Sequence, residues 1–177
     1  MAQHYSSKGT SINSTKAPRI VALMKRYNLI DSNSTVFDYG AGRFPMTTQA
    51  ALDVAQYFPF DPYNLPQDVN QASVDAVFEN GADVVMCSNV LNVIDDDDAV
   101  EEVIDRCLAK VKTGGHAIFT VYEGNKSGIG RKSKEDCWQR NETLSTYAAR
   151  FFHQYSTAKY WSVHTTHDAI ILTAKGF

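Results

Sequence analysis

The chain has 177 residues, 44% hydrophobic and 11% aromatic, and a formal net charge of −3, which fits a soluble globular protein with one α/β core and needs no second domain. No run of about 18 apolar residues occurs, and Met1-Ala2-Gln3-His4-Tyr5-Ser6-Ser7 lacks the apolar centre of a signal peptide, so a cytoplasmic protein with no membrane span is expected. Cys87, Cys107 and Cys137 are unclustered, which argues against a disulfide framework or a zinc site.

Residues 18–29 read as a helix, with Ile20, Val21, Leu23, Met24 and Leu29 near helical spacing. Residues 35–39 form the first strand, 45–51 a helix, and 54–60 a second strand ending at Asp61. The stretch 64–81 is polar and weakly patterned; a short strand is expected near 76–78. A strand over 84–88, a helix over 98–111 and a strand over 116–122 follow. Residues 124–134 are glycine-rich and basic and read as a mobile lid, with 124–143 as a substrate loop. A helix over 144–153 and two strands, 159–164 and 169–174, close the chain as a hairpin around Thr165-Thr166-His167-Asp168. The expected organisation is a single domain over 1–177, with 1–34 as a leading segment and helix. Strands alternating with helices indicate a mostly parallel sheet, whose ligands sit at the carboxyl ends of the strands.

The most informative motif is Asp38-Tyr39-Gly40-Ala41-Gly42, which follows the apolar run Thr35-Val36-Phe37. Asp61-Pro62-Tyr63 begins 19 residues after Gly42. Two glycines let the chain turn tightly from strand to helix and approach a ligand, and a carboxylate at that distance can accept hydrogen bonds from ribose hydroxyls. A nucleoside cofactor is therefore expected. Pro45 stands where a dinucleotide fingerprint needs its third glycine, which argues against NAD or FAD, and no Gly-Lys-Ser/Thr follows to make a phosphate loop.

With Asp38 two positions before Gly40, this turn resembles that of class I S-adenosylmethionine-dependent methyltransferases. Residues 82–94, with Ser88-Asn89-Val90-Leu91-Asn92 at the end of a strand, and residues 108–121, with Gly114-Gly115 before the next strand, are similar to later blocks of that family, in the same order. The resemblance implies a Rossmann-like fold whose mostly parallel, seven-stranded sheet has an antiparallel terminal strand. It implies S-adenosylmethionine as cofactor, held by Asp38, Gly40, Ala41, Gly42, Asp61, Pro62, Tyr63, Asn70, Ser88 and Asn89. Tyr63 would lie against the adenine or pack in the core, and Asn70 would reach the adenine amino group. Asn89 and Asn92 flank the end of the strand over 84–88, where the family presents groups to the methyl and the acceptor; the candidate catalytic residues are Asn89, Tyr122 and Glu123, with Glu123 or Tyr122 placed to act as an optional base.

A narrower likeness rests on Lys16-Ala17-Pro18-Arg19, Val36-Phe37-Asp38-Tyr39-Gly40, Phe60-Asp61-Pro62-Tyr63, residues 89–94 and Trp138-Gln139-Arg140. These resemble methyltransferases associated with DNA phosphorothioation systems and small phage-encoded relatives, although Ala41 and Phe44 depart from the Gly-Cys-Gly-Arg-Gly turn of that group. DNA amino-methyltransferases carry an Asp/Asn-Pro-Pro-Tyr/Phe clamp where this chain has Ser88-Asn89-Val90-Leu91, so methylation of an exocyclic base nitrogen by that mechanism is disfavoured.

Charge is unevenly divided: +5 over residues 1–30, about −12 over 31–123 and +4 over 124–160. Converging basic segments would favour an anionic acceptor such as nucleic acid or a phosphorylated metabolite; ordinary solvated faces would carry the same charges. Lys16, Arg19, Arg131, Trp138, Gln139 and Arg140 are the expected acceptor contacts, with Trp138 either stacking on a planar group or anchoring the loop. The run Asp95–Asp98 reads as a helix N-terminal cap rather than a metal site, and the five histidines show no ligand spacing, so no metal is expected. The function reached is methyl transfer to an unidentified acceptor, nucleic acid or nucleotide ahead of other molecules. Two rivals stay open: a lyase or hydrolase that consumes S-adenosylmethionine, and a non-catalytic cofactor-binding interaction protein.

Overall fold

The computed structural model describes residues 3–10, 15–155 and 160–176. Its main sheet has the order β2-β1-β3-β4-β8-β7, made of β1 (Thr35–Tyr39), β2 (Gln56–Phe60), β3 (Ala82–Ser88), β4 (Val111–Thr120), β7 (Trp161–Thr165) and β8 (Ile170–Ala174). Strands β1 to β4 are parallel, and β8 runs antiparallel between β4 and β7. Strands β5 (Arg131–Lys134) and β6 (Cys137–Gln139) form a separate antiparallel hairpin inside the expected substrate loop.

The central strands are buried on both faces, so their sequences are continuously apolar, and the two-residue alternation sorts side chains between two layers. Phe37, Val85, Ala117 and Phe119 face one layer, with Val100, Ile104 and Cys107 of α4 (Asp97–Leu108) and Tyr147 and Phe151 of α5 (Leu144–Tyr155). Val36, Val84, Met86 and Ile118 face the other, with Ile20, Val21, Leu23 and Met24 of α1 (Arg19–Arg26) and Leu52 of α2 (Pro45–Leu52). Pro45 starts α2, where its missing N–H costs nothing. Asp96 caps α4 by accepting from Ala99 N at 2.8 Å, the role expected of the acidic run.

The strand expected near 76–78 is absent: Ala76 is the last residue of α3 (Gln67–Ala76), and the sheet ends at β2 with six strands rather than seven. The helix escaped detection because the residues it buries are Asn70 and Ser73, which leave no apolar stripe to read. Ser73 Oγ donates to Pro59 O at 2.7 Å, docking α3 on β2 through a polar contact. The expected onset of the penultimate strand at residue 159 lies outside the described residues. Cys137 is buried in β6. Among the described residues, no helix is long and apolar enough to cross a membrane, and no group of three or more His, Cys, Asp or Glu side chains is placed to hold a metal.

Candidate functional site

The carboxyl ends of β1, β3 and β4, with the turn after β2, open into one cleft of about 1070 Å³. At its base the β1 turn is fixed by backbone hydrogen bonds, Gly40 N and Ala41 N both donating to Phe60 O, at 2.7 and 3.1 Å. Gly40 has φ +84°, and a Cβ there would lie 2.2 Å from Val90 Cγ2. Glycine is therefore required at this position because β3's following turn packs directly on it. The space its missing side chain leaves is filled by Val90, not left for a ligand.

Two buried carboxylates flank this turn. Asp61 Oδ2 accepts from Gly42 N at 2.9 Å and from Asn64 Nδ2 at 3.1 Å, while Oδ1 accepts from the Tyr63 and Asn64 backbone N–H groups, both at 2.9 Å. One side chain thus ties the first turn to the end of β2. Asp38 Oδ2 accepts from Tyr57 Oη at 2.6 Å. Burial raises the Asp38 carboxyl to about 7; the Tyr57 hydrogen bond opposes the shift and the Asp61 charge adds to it. A buried acid held so near neutrality is a receptive partner for a cation. Asp38, Gly40, Ala41, Gly42, Asp61, Pro62, Tyr63, Ser88 and Asn89 all line the cleft.

Asn70 is an exception. Its Oδ1 accepts from Asp61 N at 2.8 Å, and its Nδ2 donates to Asp61 O at 3.0 Å and Leu65 O at 3.3 Å, so this buried amide clamps the end of β2 and does not line the cleft. Asn89 sits in a left-handed backbone conformation, φ 57°, uncommon for a residue with a side chain, and its N–H donates to Thr120 O at 2.9 Å.

The other end of the cleft is built from the hairpin, the segment after β4 and the N-terminal residues 3–10. Tyr122 lines it and is 63% exposed. Glu123 does not: its Oε1 accepts from Leu144 N at 2.7 Å at the start of α5, and its Oε2 pairs with Lys126 Nζ at 2.7 Å. Those contacts hold its carboxyl below the ordinary range, Lys126 contributing most. Asn92, buried, donates from Nδ2 to Gln139 Oε1 at 3.1 Å and accepts from Tyr122 N at 3.3 Å; Gln139 Nε2 donates to Tyr122 O at 2.9 Å. These two amides lock hairpin, β3 turn and β4 exit together. Gln139 lines the cleft, yet both ends of its amide are engaged within the protein.

The remaining expected acceptor contacts separate. Arg131 and Trp138 line the cleft, whereas Lys16, Arg19 and Arg140 do not. Lys16 is exposed, and Arg19 pairs with Asp168 at 2.6 Å. Arg140 is buried, ion-paired with Asp97 and Glu142, and donates to Ile94 O at 3.0 Å, so its charge is spent inside the fold. Trp138 stacks on Tyr5, centroids 5.4 Å apart, and packs so closely on Gly130 that a Cβ there would lie 2.4 Å from the ring. It anchors the hairpin. Nor does the glycine-rich segment hang free as a lid: Gly128 N donates to Asn141 O, Asn141 Nδ2 to Ile129 O and Asn125 N to Asn141 Oδ1.

Sequence reasoning missed the N-terminal strap altogether. Ser7 Oγ donates to Val93 O at 3.0 Å and accepts from Trp138 N at 3.3 Å, and Ser7 N donates to Asp136 O at 2.8 Å. His4 meets Asp95 at 2.7 Å. Every one of these contacts spans at least 86 residues of chain, and no local pattern announces them.

No protein-family model matches the sequence, and no curated protein matches it. Solved structures do match in fold. The chain is similar to the Burkholderia thailandensis 1,6-didemethyltoxoflavin-N1-methyltransferase, whose structure holds 1,6-didemethyltoxoflavin and S-adenosylhomocysteine (17% identity, TM-score 0.60, covering 90% of this chain and 77% of that one). It is also similar to an amino pentose methyltransferase from Micromonospora echinaspora with bound S-adenosylmethionine (11%, TM-score 0.58, 89% and 91%) and to the small RNA methyltransferase HEN1 (14%, TM-score 0.58, 90% and 25%). These likenesses, with the sheet order and the inserted antiparallel β8, establish that the chain has the Rossmann-like α/β fold of class I methyltransferases.

Proposed function

We propose that the protein is an S-adenosylmethionine-dependent methyltransferase whose acceptor is a nucleotide or nucleic acid. The observation that carries the cofactor reading is the β1 turn, where buried Asp38 and Asp61 face one cleft across Gly40-Ala41-Gly42. Its volume, about 1070 Å³, meets the upper end of the range of roughly 300–1,000 Å³ typical of ligand sites, leaving room for a cofactor and an acceptor together. The cofactor's methionine end carries a sulfonium and an ammonium, and the Asp38 carboxyl is the nearest kind of group to complement them. Asp61 would take the ribose hydroxyls on Oδ2 in place of the Asn64 amide, keeping its bond from Gly42 N. Asn70 would act at one remove, by fixing the backbone of Asp61.

When bound, the cofactor supplies an electrophilic methyl group whose leaving sulfur departs neutral. The protein's task is chiefly placement. Asn89 and Tyr122 border the cleft from the ends of β3 and β4 and would position the acceptor, whereas Glu123 is engaged by Leu144 and Lys126. The narrower likeness to phosphorothioation-associated and phage-encoded enzymes rests on the sequence blocks alone.

Incubation with methyl-labelled cofactor and a panel of nucleotides and oligonucleotides tests this reading. Label in the acceptor is the expected result. Label in cofactor fragments would favour a lyase or hydrolase, and intact cofactor retained by the protein would favour a non-catalytic binding role.

A further inference from the structure

The cleft has two electrostatic poles. Its buried carboxylates belong to the β1 and β2 ends, and the cations of its hairpin end are Arg131 and Lys134 on β5. Both are exposed, both line the cleft, and neither has an ion-pair partner among the described residues.

Three acids of this end are engaged by other partners. Asp136, in the hairpin's own turn, accepts from the Ser6 hydroxyl and backbone N–H, with Lys8 and Lys132 as its nearest cations. Asp95 is held by His4, and Glu123 by Leu144 N and Lys126. Arg140, which follows β6 and is buried, is ion-paired with Asp97 and Glu142. Two exposed cations that face a cleft without acid partners are available to an anion that arrives from solution.

The hairpin that carries this pair is not a loose loop. Gly130, Trp138 and Tyr5 pack in sequence against it, Asn92 and Gln139 bind its β6 strand to the main sheet, and Ser7 bridges Trp138 N and Val93 O. The two cations are therefore presented from a braced platform, at a fixed place relative to Asn89 and Tyr122.

Resting on the methyltransferase reading above, we propose that Arg131 and Lys134 form an anchor for a phosphate group of the acceptor, so that the acceptor enters as a nucleotide or as a nucleic-acid segment with one phosphate seated on β5. The forked guanidinium of Arg131 suits paired phosphate oxygens, and the Lys134 ammonium adds a point charge beside it. An amine acceptor, cationic at neutral pH, would be repelled from the same end.

The test uses the full chain saturated with S-adenosylhomocysteine, whose own binding is measured first by calorimetry. Cytidine 5′-monophosphate and a single-stranded decanucleotide are then titrated against cytidine, into wild type, Arg131→Gln, Lys134→Gln and the double variant. The anchor predicts that the monophosphate binds and cytidine does not, and that each single variant weakens monophosphate binding by about tenfold. If the oligonucleotide binds more tightly and with a steeper salt dependence than the monophosphate, the basic face continues along a strand and the source is nucleic acid; equal affinities identify a free nucleotide. Equal monophosphate affinity in wild type and double variant, or no preference for monophosphate over cytidine, overturns the anchor while leaving the cofactor reading intact. Failure of S-adenosylhomocysteine itself to bind strikes the methyltransferase reading instead, and with it the anchor.

Discussion

The two ends of the cleft are built by opposite means. At the β1 end, position is set by backbone bonds, a glycine pressed on Val90 and a carboxylate, Asp61, whose partners lie within 19 residues of it. At the hairpin end it is set by side chains reaching across the whole chain, Ser7 to Val93 and Trp138, Asn92 to Gln139. The first end is buried and acidic, the second exposed and basic. On the proposed reading, a pocket for a constant cofactor is served by local, over-determined geometry, and one for a variable acceptor by an appended platform that can differ without disturbing the sheet.

The sharpest way to break the first end is Gly40→Ala. The new Cβ would meet Val90 Cγ2 at 2.2 Å in a backbone conformation that alanine resists, and a loss of about 3 kcal/mol is expected from denaturant melts. Adding Val90→Ala should recover part of it. A loss below about 1 kcal/mol would mean that the turn is softer than its packing indicates.

Asp38 carries a pH signature. Its carboxyl titrates at about 7 in the folded protein against an ordinary 3.8, so between those values the native state holds a proton that the unfolded chain has released. Stability from this group therefore falls as pH rises from about 4 to 7 and is level above, by at most roughly 4 kcal/mol. Asp38→Asn should flatten that slope, measured as the difference between the two pH–melting profiles. The groups around it, Tyr57 Oη, Asp61 and, on α4, Cys107, remain in both proteins.

The smallest effect belongs to the hairpin end. Ser7→Ala removes one donor and one acceptor from the strap and should cost about 1 kcal/mol in thermal or denaturant melts, leaving the β1 turn untouched. If it instead destabilised the protein as much as Gly40→Ala, the two ends would not be separable units.

What was legible in the sequence follows the same division. Strands β1 and β3, the Gly40-Ala41-Gly42 turn, Asp61 at the end of β2 and the acidic cap of α4 all leave local marks: continuous apolar runs, paired glycines, a carboxylate beside a turn. Helix α3 left none, because it buries Asn70 and Ser73 and so lacks an apolar period. Asn70, Arg140 and Glu123 were read as site residues from their place in the chain, and each is engaged within the fold by partners that no spacing rule supplies. Trp138 shows the same limit, since its ring meets Tyr5 from the far end of the chain.

The central claim, that the acid-lined turn is a cofactor site, is tested most directly by calorimetric titration of S-adenosylmethionine into wild type and Asp61→Asn. Asparagine retains the size of the side chain and removes its charge. The account predicts a dissociation constant on the order of micromolar for wild type, weakened by about tenfold or more in the variant. No binding at millimolar cofactor, or equal affinity in the two proteins, would contradict it.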